Sequence, residues 1–231
     1  MPPKLAVDIE SNHFEHRSPE ECLAEESRLL QRGALHLFTY TWNQPVLVLG
    51  RGQSLENINT DTCRKEGIPI LRRSTGGTGV LHQHTLNIAL FLPRNHPWSQ
   101  TIAPLYGRFT AWVKAALTKQ SFSCKGWNHR RPSAPRSAIC FESHTDDTLL
   151  IEGRKVFGSA QRRQKTGVLI HGTLLLDLDV PQHSRVFGVP KAHIRRIMCA
   201  LPYPLDVRRF IQDFRRAVSE ANTFDDHFPP Q

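Results

Sequence analysis

The chain has 231 residues with 39% hydrophobic content, enough to build the core of one large domain and too little room for several. No apolar run approaches the roughly 18 residues of a membrane span, and the first 17 residues, MPPKLAVDIESNHFEHR, lack the apolar core of a signal peptide. A formal net charge of +9 favours an acidic partner, either nucleic acid or an acidic carrier protein. The arginine pairs are dispersed, with no aromatic-interleaved nucleic-acid motif, so a solvated basic surface explains them equally well. The five cysteines (Cys22, Cys63, Cys124, Cys140 and Cys199) are odd in number and have no CxxC spacing. That argues against a disulfide framework and a structural zinc site, and free thiols suit the cytoplasm.

In chain order, Ser18-Pro19-Glu20-Glu21 reads as an N-cap, a first-turn proline and a capping-box glutamate, predicting a helix to Arg32 that stops at Gly33. LHLFTY and PVLVLG read as two paired strands around Asn43-Gln44. A short helix over 60–66 ends at Gly67, and IPILRR is a short strand. VLHQHTLNIALFL reads as a strand, and GRFTAWVKAALTK as an amphipathic helix with Phe109, Trp112, Val113, Ala116 and Leu117 on one face. The polar, proline-rich 126–136 reads as a loop. DTLLIEGRKVFGSA predicts two strands turning at Glu152-Gly153, and VLIHGTLLLDLD one long strand. A last helix, about 205–221, carries Val207, Phe210, Ile211, Phe214, Ala217 and Val218 in a stripe, before a frayed tail, DDHFPPQ. With strands in excess and no regular βαβ alternation, the fold class is α+β with a mixed, largely antiparallel sheet flanked by helices. The whole chain, 1–231, reads as a single domain without an accessory domain.

Three stretches carry chemistry. In LRRSTGGTGVLH (71–82), Gly76, Gly77 and Gly79 lie between strands and would let backbone approach a ligand. The spacing fits neither a Walker loop nor a dinucleotide fingerprint; read alone, a hairpin turn explains it. In EGRKVFGSAQRR (152–163), Lys155 either points into a cleft or lies exposed on a strand. In HGTLLLD (171–177), Gly172 inside an apolar strand implies close packing, and His171 is either functional or a satisfied core histidine.

Taken in this order, the three resemble the lipoate-protein ligase and octanoyltransferase superfamily, related in fold to the biotin-protein ligases. Its pattern is an RRxSGG- or RRxTGG-type loop followed by a histidine, then GRKxxGSAQxR, then HGxLL. Here these stand as RRSTGGTGVLH, GRKVFGSAQRR and HGTLL, with TYTWNQPVLVLGRGQ resembling the family's early hairpin. The likeness covers about 20–200. The resemblance implies substrate-binding roles for Arg72, Thr75, Gly76, Gly77, His82, Gly158, Ser159, Ala160, His171 and Gly172. Thr78 stands where ligases usually carry a third glycine, and Asp146-Asp147 where they have Asn-Asp. TGGTGVLH is closer to the TGGxAVLH of Gram-positive-type octanoyltransferases. That branch places a nucleophilic cysteine in an ACF-type segment about fifteen residues before the lysine; Cys140, in SAICF (137–141), fits the spacing to Lys155. Without the resemblance, Cys140 reads as a small buried apolar residue.

The resemblance therefore implies transfer of octanoyl from acyl carrier protein, through a Cys140 thioester, to a lysine of a lipoyl domain. Such domains are those of the glycine cleavage system H protein or 2-oxoacid dehydrogenase subunits. Little of a free thiol is thiolate at neutral pH, and a nearby ammonium such as that of Lys155 raises the share. Burying six methylenes at ~0.8 kcal/mol each would supply ~5 kcal/mol and select chain length. No cofactor is expected, and ATP only for a ligase. Neither nucleic acid nor membrane is an expected partner. Cys199, in RRIMCALP, is the rival nucleophile but lacks the Pro-Cys-Gly setting of another octanoyltransferase branch. Cys22 reads as core. His82 and His84 would share one face of a strand, but no third ligand presents itself, so no metal is expected; Thr85 departs from the Gly or Glu common there. The other readings are a lipoyl-domain to lipoyl-domain amidotransferase, an ATP-dependent lipoate ligase, and a non-catalytic acyl-carrier or lipoyl-domain binding protein.

Overall fold

Two sheets of unequal size face each other, and their facing surfaces make the site. The computed structural model describes residues 9–126, 138–142 and 148–225. Most of the 126–136 loop, the Asp146-Asp147 pair and nearly all of the tail lie outside the described residues.

The large sheet has seven strands in the order β1-β2-β6-β10-β9-β8-β7. They are β1 (Glu10–Arg17), β2 (His36–Trp42), β6 (Thr85–Pro93), β7 (Lys125–Gly126), β8 (Leu149–Ile151), β9 (Arg154–Arg163) and β10 (Gly167–Leu175). Only β1–β2 is parallel. The small sheet has the order β4-β3-β5, with β3 (Val46–Leu49), β4 (Ile70–Arg72) and β5 (Val80–His82).

Helix α1 (Pro19–Arg32) begins with the expected reciprocal capping box, Ser18 Oγ accepting from Glu21 N and Glu21 Oε2 from Ser18 N, both at 3.2 Å. It stops at Gly33, whose φ of 62° is left-handed. The turn at Glu152-Gly153 joins β8 to β9, also with both φ positive. The short α2 (Thr60–Lys65) packs with α4 (Val180–Phe187) and α5 (Lys191–Ile197) around the outer face of the small sheet. Helices α3 (Ala103–Thr118) and α6 (Val207–Asp225) cover one face of the large sheet, where Phe109, Val113, Phe210 and Phe214 meet Leu86, Ile88, Val168 and Ile170. Among the described residues no helix is long and apolar enough to cross a membrane.

Two expectations are corrected. β2 and β3 are not a hairpin: β2 pairs with β1 and β6, β3 with β4 and β5. Both strands are buried almost throughout, and Phe38, Tyr40 and Trp42 of β2 pack face to face with Val46 and Val48 of β3. Likewise VLHQHTLNIALFL is two strands: the chain leaves the small sheet after His82 and enters the large one at Thr85.

Candidate active site

Side chains alternate across a strand. On β6 and β10 the even positions 86, 88, 90 and 168, 170, 174 enter the helix-covered core. The odd positions Asn87, His171 and Thr173 face the small sheet, where they line a narrow cleft of about 40 Å³. Tyr40 and Trp42 of β2, Val80 and His82 of β5, Val48 of β3 and Leu23 of α1 complete much of its apolar wall, and Cys140 with Phe141 stands at its side.

Cys140 opens a single 3-10 turn, Cys140–Glu142, held against the glycine loop. Gly79 N donates to Ala138 O and Cys140 N to Gly79 O, both at 2.9 Å. Packing at Gly79 is tight: a Cβ there would lie 3.2 Å from Ala138 O. Cys140 is half-buried; the other four cysteines are buried. Lys155, on β9, is only 4% exposed. Its Nζ donates to the Cys140 carbonyl at 3.2 Å and lies 5.3 Å from the Phe141 ring centroid. The lysine passes over Gly158, where a Cβ would come within 2.6 Å of Lys155 Cε. Gly172 is required by a different neighbour: its Cβ would lie 2.3 Å from Phe157 Cζ.

The glycine loop is organised from beneath by Arg73. This buried guanidinium donates from Nε to Thr75 Oγ1 at 2.9 Å and from Nη2 to Gly76 O at 2.7 Å and Thr78 O at 2.9 Å. Gly77 takes φ 92° to close the turn. With these carbonyls turned inward, the N–H groups of Gly76, Gly77 and Thr78 have no acceptor among the described residues. Such an array of amides attracts negative charge.

A buried relay connects this loop to α1. Thr75 Oγ1 lies 2.8 Å from His171 Nε2, His171 Nδ1 lies 2.9 Å from Glu26 Oε1, and the Tyr40 hydroxyl donates to the same oxygen at 3.0 Å. With Nδ1–H donating to the carboxylate, Nε2 accepts from Thr75, whose oxygen accepts from Arg73. Burial, reinforced by Glu26, raises the Tyr40 phenol well above its usual range. Burial, reinforced by Arg73, holds His82 well below the usual imidazole range.

Of the residues expected at the site, Cys140, His82, Gly158, Ser159, Ala160, His171 and Gly172 border the cleft. Lys155 joins it through Cys140 and Thr75 through His171. Gly76 and Gly77 are exposed on the outer side of the loop. Arg72 is also exposed and donates to Gly50 O at 3.0 Å; the arginine on the cleft is Arg73. Cys199 lies away from the cleft in the helix-covered core, its sulfur 3.6 Å from Arg154 O, and burial raises its pKa. Cys22 is core, its thiol pushed up to about 12 by burial. His82 and His84 do not share a strand, and among the described residues no three metal-ligating side chains are grouped. Sequence reading missed Glu26. Its signal is a carboxylate inside the apolar stripe Cys22, Leu29, Leu30 of α1.

The lipoyl protein ligase A/B catalytic domain family matches residues 12–221. The octanoyltransferase LipM of Staphylococcus aureus is 34% identical over 156 residues, 64% of this chain and 56% of the relative. The octanoyltransferase LipM of Bacillus subtilis is 33% identical over 167 residues, 69% of this chain and 60% of the relative. The chain thus spans less than two thirds of the length of these curated relatives. A Thermoplasma acidophilum protein described as a lipoate protein ligase, with bound lipoic acid, superposes with a TM-score of 0.74 at 17% identity, covering 93% of this chain and 86% of that one. A lipoate-protein ligase A bound with ATP gives 0.75 at 20% identity, covering 93% and 85%. These structural likenesses concern the fold, while the match over 12–221 carries the assignment: the chain belongs to the lipoyl protein ligase A/B catalytic domain family.

Proposed function

We propose that this chain is an octanoyltransferase that takes octanoyl from acyl carrier protein onto Cys140 and passes it to a lysine of a lipoyl domain. The glycine cleavage system H protein and 2-oxoacid dehydrogenase subunits carry such domains. The observation that carries the reading is the junction of a half-buried cysteine at an apolar cleft with a buried lysine reaching its carbonyl at 3.2 Å. The name of the curated relatives, octanoyltransferase, agrees with it.

In the first step the Cys140 thiolate attacks the carbonyl carbon of the donor thioester. A new C–S bond forms, the carrier's C–S bond breaks, and the carrier leaves as a thiol after taking up a proton. The negative charge on the tetrahedral oxygen is met by the Lys155 ammonium. In the second step the neutral amine of the acceptor lysine attacks the enzyme thioester. The amide forms, the Cys140 thiol is released, and the proton lost by nitrogen balances it. Exchange between thioesters is nearly isoenergetic and amide formation is downhill, so ATP has no role in this reading. The acyl chain occupies the apolar cleft. The net charge of +9 suits an acidic carrier, and free thiols suit the cytoplasm.

The test is reconstitution with octanoyl-acyl carrier protein and a lipoyl domain, without ATP, followed by mass spectrometry of the acceptor. Octanoylation of the acceptor lysine that depends on Cys140 is expected. Transfer only from an octanoylated lipoyl domain would replace the donor and make the chain an amidotransferase. Transfer only from octanoate with ATP would make it a ligase, and binding without transfer a carrier- or lipoyl-domain binding protein.

A further inference from the structure

Helix α5, KAHIRRI, rests on the turn that carries Cys140. Its inner face is apolar: Ile194 and Ile197 are buried in the cluster that holds Ile139 and Phe141, the sequence neighbours of Cys140. A polar contact reinforces this packing. His193 Nε2 lies 3.1 Å from Glu142 Oε1, at the far end of the same 3-10 turn. His193 Nδ1 accepts from Arg196 Nη2 at 2.9 Å, which leaves the proton on Nε2 to donate to the carboxylate. Directly after α5, Met198 bridges to Lys155, and Cys199 N donates to Lys155 O at 3.0 Å. The helix is thus tied to both Cys140 and Lys155.

The outer face of α5 is cationic. Lys191, Arg195 and Arg196 are exposed, and the helix has no acidic residue. Carboxylates around it are engaged elsewhere: Glu142 by His193, and Glu66 by Arg185 of the adjoining α4. Lys191 and Arg195 have no ion-pair partner among the described residues. Other helices neutralise their arginines internally or against a neighbour, as Arg28 with Glu25, Arg32 with Glu10, Arg64 with Asp61 and Arg216 with Glu220. Four positions apart, Lys191 and Arg195 stand on one side of α5, ~6 Å along its axis. Positive charge without local neutralisation attracts an acidic surface over a distance.

We propose that α5 is the docking surface for the acidic carrier protein that delivers the acyl thioester, with Lys191 and Arg195 meeting carboxylates spaced one turn apart on a carrier helix. The proposal rests on the octanoyl-transfer reading of the neighbouring site. Reach decides between the two protein substrates. A lysine side chain spans only ~6 Å, so an acceptor domain must sit over the sulfur itself. A carrier presents its thioester on a long flexible arm, so its body docks to the side. Helix α5 lies to the side: it meets the cysteine's turn at Glu142, two residues beyond Cys140. Charges at the rim of an interface act chiefly on the encounter rate and its salt dependence.

The experiment measures calorimetric binding of unacylated acyl carrier protein to the full chain. Alongside it, single-turnover acylation of Cys140 is followed from octanoyl-carrier and from octanoyl-pantetheine, a small thioester without a protein surface. It compares wild type, Lys191→Glu/Arg195→Glu and the control Arg208→Glu/Arg209→Glu, the same charge change on α6, across the large sheet from the cleft. At low salt the α5 variant is expected to bind the carrier, and to be acylated by it, at least about tenfold less well, with the gap closing as salt rises. Octanoyl-pantetheine is expected to acylate all three proteins alike, which also shows that the α5 variant is folded. The α6 control is expected to follow wild type with both donors. Carrier binding and acylation at wild-type levels in the α5 variant overturn the proposal. An equal loss with octanoyl-pantetheine overturns it by making the α5 charges a support of the turn, and an equal loss in the α6 control by making the effect one of net charge. Weakened binding of a lipoyl domain in place of the carrier overturns it by giving the surface to the acceptor. Carrier binding that depends on α5, with no acyl adduct on wild type, would overturn the transfer reading alone.

Discussion

Alanine at Gly158 tests whether Lys155 works through its position. The new Cβ would lie 2.6 Å from Lys155 Cε and 2.9 Å from Nζ. To regain even the ~3.5 Å lower edge of carbon–carbon contact, Cε must retreat by ~0.9 Å. The Nζ contact to the Cys140 carbonyl, 3.2 Å in the native chain, then opens to ~4 Å, beyond hydrogen-bond reach. The obstructed atoms belong to the end of a flexible side chain, so the fold yields there at little cost. Misplacing a reacting group by ~1 Å lowers rates by up to ~100-fold. Gly158→Ala should therefore acylate Cys140 ~10- to 100-fold more slowly while melting within a few degrees of wild type. Gly172→Ala is the control, because its Cβ would strike the Phe157 ring at 2.3 Å, inside the core. Overpacking of that kind costs ~1–3 kcal/mol of stability. Single-turnover acylation followed by intact mass, with urea denaturation alongside, separates the two effects. A Gly158→Ala protein that acylates at the wild-type rate would refute the reasoning, as would one destabilised as much as Gly172→Ala.

Glu26→Ala should destabilise the chain by several kcal/mol, because it leaves the Tyr40 hydroxyl and His171 Nδ1–H buried without their acceptor at ~1–3 kcal/mol each. Glu26→Gln keeps an acceptor oxygen and should lose far less; equal urea midpoints for the two would contradict the relay. Stability should also fall with acid. Burial holds His82, His183, His36 and His13 below the usual imidazole range, so the unfolded chain binds more protons once pH drops through about 6.5. The stabilisation is complete above that value and is lost as pH falls towards the folded-state values. Urea midpoints should drop between pH 7.5 and 5.5, and His82→Asn should flatten the slope; a midpoint that rises on acidification would contradict the burial argument.

What the sequence disclosed follows from the range over which each signal acts. The caps of α1, the Glu152-Gly153 turn and the stripes of α3 and α6 are local and stand in the chain where they stand in the fold. Sheet membership is not local: β2 and β3 are adjacent in sequence, yet both are buried on two faces, and a pattern without alternation does not say which edge pairs with which. β1, reading ESNHFEHR, is recruited by backbone pairing to β2 and has no apolar alternation to announce it. α4 and α5, eight and seven residues long, are too short for a helical period to emerge. At the site, the motif named Arg72, which is exposed, whereas Arg73 lines the cleft. Alternation puts Arg72 and Arg73 on opposite sides, and only the position of the small sheet decides which one is inside. Glu26 was legible as a carboxylate in an apolar stripe, whereas its partners come from β2 and β10, 14 and 145 residues away.

The measurement that tests the central claim most directly is the intact mass of the protein after mixing with octanoyl-acyl carrier protein in the absence of ATP. Wild type, Cys140→Ala, Cys199→Ala and Lys155→Ala would be run together. An octanoyl adduct labile to hydroxylamine is predicted on wild type and Cys199→Ala, absent from Cys140→Ala and strongly slowed in Lys155→Ala. An adduct that survives in Cys140→Ala, or one that disappears with Cys199, would contradict the assignment of Cys140 as the residue that carries the acyl chain.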